Sequence, residues 1–205
     1  MGIWEQTGYD VRLDWGAVLV IVDVLSFSAT TDLVANRALP VRRRGVARAA
    51  GAVIVGEGEL TRRPSSVTEI PPGALPVSPR PTAQRWVRPS RRPARTCSRA
   101  ASATPIAAGE RWGVNIFGDG ETSGPLRPCV EDQMGAGAIA AALAGLGLAL
   151  SAEAALAARS VDVTALATCV SSRELTEAGH GGDVVLAART DVSDAAPVLI
   201  EGVLT

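Results

Sequence analysis

The chain has 205 residues, 47% of them hydrophobic, enough to bury a core as one domain or as two small lobes. Its formal net charge is −1, so the field of the whole molecule favours neither a nucleic acid nor a membrane surface as partner. Three cysteines, Cys97, Cys129 and Cys169, are odd in number and widely spaced, which points to a reducing, cytoplasmic setting and away from a disulfide framework or a zinc pattern. All 20 basic residues are arginine, the signature of a gene very rich in G+C.

Met1 to Asp14 carries Glu5, Asp10, Arg12 and Asp14 without an apolar stretch, so no secretory signal is expected there. Val18 to Val22 is an unbroken aliphatic run suited to a strand buried on both faces. It ends at Asp23, and the chain passes through Ser26, Ser28, Thr30 and Thr31 into an apolar helical pattern at Leu33 and Val34. In open α/β sheets ligands gather at the carboxyl ends of strands, where helix N-termini present free N–H groups. An acid on the strand end with hydroxyls at a helix mouth therefore makes a metal-plus-phosphate half-site. The plainer alternative is a turn acid at Asp23 and a helix cap at Ser28.

Leu39 to Val41 reads as a short strand, Arg42 to Ala50 as a helix ending at Gly51, and Ala52 to Val55 as the next strand. That β-α-β-α-β spacing predicts a mixed, mostly parallel sheet with flanking helices. Residues 62–105 break the pattern. Arg80, Arg85, Arg88, Arg91, Arg92, Arg95 and Arg99 occur with no acid between Glu69 and Glu110, and Pro79, Pro81, Pro89, Pro93 and Pro105 interrupt any helix. At face value residues 80–99 are a basic arm, and a non-catalytic module gripping nucleic acid or an anionic surface is the alternative function. Only Trp86 supplies the interleaved aromatics that a single-strand binder needs.

Order is expected to return at Ile106, with a strand end running to Trp112, and a helix begins near Cys129 to Asp132. Met134 to Leu150 is uncharged but mostly Ala and Gly and short for a membrane span, so it reads as a buried helix with small residues for close packing. Ser151 caps a second helix, with Glu153 in its first turn and Arg159 near its end. Ser171 and Glu174 have the spacing of a capping box. Gly179 to Gly182 is a turn, Asp183 to Arg189 a helix, and Pro197 to Leu204 a closing apolar strand. His180, the single histidine, has no triad partner in sight and reads as structural.

Four segments in this order resemble the 2-phosphosulfolactate phosphatase family: Val22-Asp-Val-Leu-Ser-Phe-Ser-Ala-Thr-Thr31, Ala108-Gly-Glu-Arg-Trp112, Leu126-Arg-Pro-Cys-Val-Glu-Asp-Gln-Met-Gly-Ala-Gly-Ala138, and Ser171-Ser-Arg-Glu-Leu175 with Asp183 to Ser193. The resemblance implies a single three-layer α/β/α domain over residues 1–205 and a Mg²⁺-dependent phosphomonoesterase. It also implies 2-phosphosulfolactate as substrate, on the route to coenzyme M. Asp23 and Glu110 become the catalytic candidates, and Asp23, Glu110, Glu131 and Asp132 the metal ligands, since Mg²⁺ takes oxygen donors and keeps several waters. Ser26, Ser28, Thr30, Arg111, Arg127 and Arg173 become substrate contacts, the arginines because planar forks read oxyanions bidentately. Each residue also has a plain alternative. Glu131 and Asp132 can simply complement a helix dipole, Glu110 can pair with Arg111, and Arg173 can sit in solvent. The expected partner is a small anionic phosphorylated substrate, with no nucleic acid and no membrane; self-association stays open.

Where that family has a Ser-Pro-Asn-Gly-Ser/Thr loop and later a Gly-Cys-Leu-Arg-Asn-Ala strand end, this chain has its Arg/Pro-rich stretch. Joining the last base of each codon to the first two of the next permits Pro-Asn-Gly-Ser-Ala from Arg80 to Arg85. The same offset permits Val-Leu-Ala-Gly-Cys-Leu-Arg-Asn-Ala from Thr96 to Pro105. The expectation is a frameshift near Ser78, with the normal frame resuming about Ile106 and a helix and much of a strand lost between. Such a loss would leave an unpaired sheet edge and weaken or abolish activity.

Overall fold

The computed structural model describes residues 17–35, 53–54, 63–68, 76–77, 102–112, 125–194, 196, 199–200 and 203–204. In chain order these form β1 (Ala17–Val22), a π-helical turn (Val24–Ser28), α1 (Ala29–Ala35), β2 (Val53–Ile54), α2 (Pro64–Val67), β3 (Pro76–Val77), β4 (Ser102–Ala107), β5 (Glu110–Arg111) and β6 (Leu126–Arg127). They continue as α3 (Val130–Gly145), α4 (Ala152–Arg159), α5 (Val163–Leu166), α6 (Val170–Glu177), α7 (Gly181–Ala187), β7 (Leu199–Ile200) and β8 (Val203–Leu204). The class is mixed α/β and rich in helix. The chain divides into two compact units, Met1–Asp23 with Cys97–Val170 and Val24–Thr96 with Ser171–Thr205.

In the first unit β1 and β4 pair in parallel over their full lengths, from Ala17 opposite Ser102 to Val22 opposite Ala107. Val20, Ile21 and Val22 are β-branched and suit a pleated surface, and Val22 is buried. The helix α3 packs on both strands and on α4. Ala136, Gly137 and Ala140 form its buried side, whereas Ala138, Ala141, Ala142 and Ala144 face solvent. The segment expected to be a buried helix is thus half-buried, because the parallel pair covers one side of it only. No helix among the described residues is long and apolar enough to cross a membrane.

The second unit is built differently. The helix α1 packs on the π-helical turn and on α2, and α7 packs on α2 and on the π-helical turn. Leu25, Val34, Val67, Leu175 and Val184 are buried. Short strands complete it, β2 parallel with β3 and β7 antiparallel with β8. The expected strand at Leu39 to Val41 and helix at Arg42 to Ala50 lie outside the described residues.

Two expectations are corrected. Residues 62–105 are not irregular throughout: they contain α2, β3 and the first four residues of β4. Pro64 opens α2, where a missing N–H costs nothing, and backbone pairing along β1 needs no particular side chain. Ser171 does not cap a helix. α6 starts one residue earlier, at Val170, and Ser171 is buried inside it. The cap in this region belongs to Asp162, which accepts the Thr164 N–H at 3.0 Å and starts α5. The Ser151 cap is present, its Oγ accepting the Ala154 N–H at 3.2 Å.

The α3–α4 contact rests on Gly137. A Cβ there would run into the Ala157 carbonyl, whose carbon would lie at 2.8 Å, while Gly145 on the same helix faces open space. In thermal melts G137A is expected to lose about 1–3 kcal/mol through backbone overpacking. G145A should be neutral or gain up to about 1 kcal/mol, because alanine is the better helix former.

Candidate functional site

The carboxyl ends of β1 and β4 leave the sheet side by side. The Ala108 N–H donates to the Val22 carbonyl at 2.8 Å, extending the pairing to the residue before Asp23. The chain then turns at Gly109, whose φ of +68° is a left-handed conformation that glycine adopts without strain. Its N–H donates to Asp132 Oδ2 at 2.8 Å in a buried bond. Asp132 sits in the first turn of α3, so one carboxylate ties the strand exit to the positive end of the longest described helix.

Glu110 and Arg111 then pair antiparallel with Arg127 and Leu126, which puts Glu110 directly opposite Arg127. Their side chains form an ion pair, Arg127 donating from Nη2 to Glu110 Oε2. The guanidinium also lies 5.2 Å from the centre of the half-exposed Trp112 ring. Glu131 and Asp132 are each 3% exposed and Arg127 6%, an unusual depth for charged groups. Such burial is tolerated where carboxylates meet N–H donors and opposite charge.

Cys129, the N-cap residue of α3, reports the local field. Its thiol is held above its ordinary range first by burial, then by the negative charges of Glu131, Glu110 and Asp132, with Arg127 opposing them. Three carboxylates and one guanidinium therefore act on a single sulfur, although they come from β5, β6 and α3. Asp23 is half-buried at the end of β1 in the same unit.

The other expected residues fall elsewhere. Arg111 is on β5, and nothing is described of its side chain. Glu110 pairs with Arg127, its cross-strand partner on the same face of the hairpin, and the suggested Glu110–Arg111 pairing rests on a side chain outside the described ones. Ser26, Ser28, Thr30 and Arg173 belong to the second unit. Ser28 and Thr30 are half-buried there, and Arg173 is exposed on α6. The described residues contain no group of three or more His, Cys, Asp or Glu arranged to hold a metal ion. The donor chemistry still suits Mg²⁺, a hard ion satisfied by one or two carboxylates plus water.

Sequence reasoning passed over two residues. Trp112 lies in a segment that carries the resemblance but has no expected site role, and its place beside Arg127 depends on the hairpin that brings Pro125 back to accept the Trp112 N–H at 3.0 Å. Asp183 likewise lies in such a segment, as the expected start of a helix. It is 1% exposed, and its Oδ1 accepts the Ser65 N–H at 2.7 Å across 118 positions. No local pattern signals a cap supplied from so far away.

Removing one member of a deeply placed ion pair strands the other, so E110L, which leaves the 8% exposed Arg127 side chain without its carboxylate, should cost about 3–5 kcal/mol in a denaturant melt. R127M, which leaves the more exposed Glu110, should cost less. The Cys129 shift has a definite sign. Its thiol is raised in the folded state, so its contribution to stability is intact below the ordinary value of 9.0 and is lost as pH rises beyond it. Urea midpoints between pH 7 and pH 10 should fall more steeply in the parent chain than in C129A.

No family model matches the chain, and no curated protein resembles it at a significant level.

Proposed function

We propose that the chain is built on the plan of a Mg²⁺-dependent phosphatase for a small sulfonated or carboxylated hydroxy acid, with 2-phosphosulfolactate the first substrate to test, and that it is an impaired form of that enzyme. The observation that carries this reading is the meeting of Glu110, Arg127, Glu131 and Asp132 around Cys129, beside the carboxyl ends of β1 and β4. The three-layer α/β/α arrangement and a cytoplasmic location belong to the same proposal.

In this reading one or two of the carboxylates Asp23, Glu110, Glu131 and Asp132 would hold Mg²⁺, with water completing its shell. When bound, the ion supplies positive charge to the phosphoryl oxygens and acidifies a water. Asp23 or Glu110 accepts a proton from the attacking water. Arg127 fixes the direction of the Glu110 carboxylate through their ion pair, and Arg111 is the arginine of the same unit left to read the acid groups of the substrate. The buried bond from Gly109 keeps Asp132 in place before substrate arrives, which is the preorganisation that transition-state stabilisation requires.

Impairment follows from the shifted reading of residues 80–105. Most of that segment lies outside the described residues, and the rest supplies the first four residues of β4. The decisive assay measures phosphate release from a panel of phosphorylated hydroxy acids, with and without Mg²⁺, for this chain and for a gene with the frame restored. The restored protein should hydrolyse one of them only with Mg²⁺, its D23A variant should be inactive, and the present chain should show little or no turnover. Full turnover by D23A in the restored background would remove the centre of the proposal. Robust Mg²⁺-dependent hydrolysis by the present chain would refute the impairment.

A further inference from the structure

The β5–β6 hairpin sets three side chains in a row. Glu110 faces Arg127 across the strands, and Trp112, two residues after Glu110, returns to the same face. The Trp112 N–H donates to the Pro125 carbonyl at 3.0 Å, which fixes the backbone from which the ring projects. The Arg127 guanidinium carbon lies over that ring, 5.2 Å from its centre. From the same guanidinium, Nη2 donates to Glu110 Oε2. The group therefore meets a carboxylate along its edge and an indole on its face.

These two contacts do not compete. A guanidinium carries its five N–H donors in its own plane, and its weakly hydrated faces are free to stack. An indole on one face keeps water off the guanidinium and limits its rotation without using a donor that Glu110 needs. We propose that Trp112 is a positioning residue: its ring holds the Arg127 guanidinium in the orientation that pairs with Glu110, and through that pair it sets the direction of the Glu110 carboxylate. The effect on the ion pair stands by itself, whereas the effect on turnover rests on the phosphatase reading.

Burial separates this role from plain core packing. A ring that only filled the interior would be buried, yet Trp112 is half-exposed while the guanidinium beneath it is nearly covered. Glu110 is the candidate proton acceptor next to the strand exit, and a small error in the aim of such a group is costly to rate. Leucine in place of Trp112 would fill much of the same space but has no π face. Phenylalanine keeps the face, with a weaker attraction for the cation. W112L and W112F therefore tell stacking from mere cover.

The first measurement is a double-mutant cycle by urea unfolding of the full chain, with W112L, E110Q and the two together. W112L should raise the unfolding constant about two- to tenfold more in the parent than in the E110Q background. W112F should keep most of that coupling. Additive effects, or equal losses for W112L and W112F, would overturn the proposal; should W112L not fold, W112M takes its place on the same terms. The second measurement uses the enzyme with its frame restored. There W112L should lower kcat about three- to tenfold and leave KM within about twofold of the parent, and W112F should recover most of the rate. A raised KM with kcat unchanged would make Trp112 a substrate contact and overturn the positioning role. If the restored protein hydrolyses no member of the substrate panel, the phosphatase reading fails, and the urea cycle alone decides whether Trp112 governs the pair.

Discussion

The hydrogen bond from Gly109 to Asp132 is the constraint on which the first unit depends. It satisfies a backbone donor where β4 stops pairing and stabilises a carboxylate that would otherwise be costly at that depth. It also fixes where α3 begins relative to the sheet. Only glycine takes the left-handed turn at this point without strain, and only a short acid in the first helical turn lies close enough to receive the bond. Glu110, next in the chain, is thereby delivered to its pairing with Arg127.

The charges assembled there are in partial balance. Glu110, Glu131 and Asp132 bring three negative charges, and Arg127, the N-terminus of α3 and the Gly109 N–H offset part of them. Burial first, and then these three carboxylates, hold the Cys129 thiol above its ordinary range against the opposing charge of Arg127. Among its described residues the second unit joins distant positions through polar contacts, Asp183 with Ser65, Arg63 with His180, and Ser193 with Asp32.

The elements easiest to read were those with strong local chemistry. The aliphatic run to Val22, the helix after Cys129, and the Ser151 cap with Glu153 and Arg159 all stand where the residues indicated. Each rests on contacts within a few positions: β-branched packing, a small-residue face, a side-chain oxygen on the first turn. The misreadings share the opposite cause. Ser171 has the right neighbour for a capping box, yet a helix beginning at Val170 takes it into the interior. The stretch before Ile106 has no apolar period, yet Ser102 to Pro105 pairs along β1 because a strand already in place offers its backbone groups.

The amino-acid sequence by itself determined the mixed α/β character, the strand ending at Asp23, the helix opening on Glu131 and Asp132, and the near-neutral charge. These follow from periodicity, capping and composition, which act locally. Only the tertiary structure decided that Glu110 pairs with Arg127, that Asp132 receives Gly109, and that Asp183 caps a helix 118 positions away. The physical reason is the same in each case: a buried donor takes the acceptor that the packed backbone brings within about 3 Å, and that proximity is a property of the fold, not of neighbours in the chain.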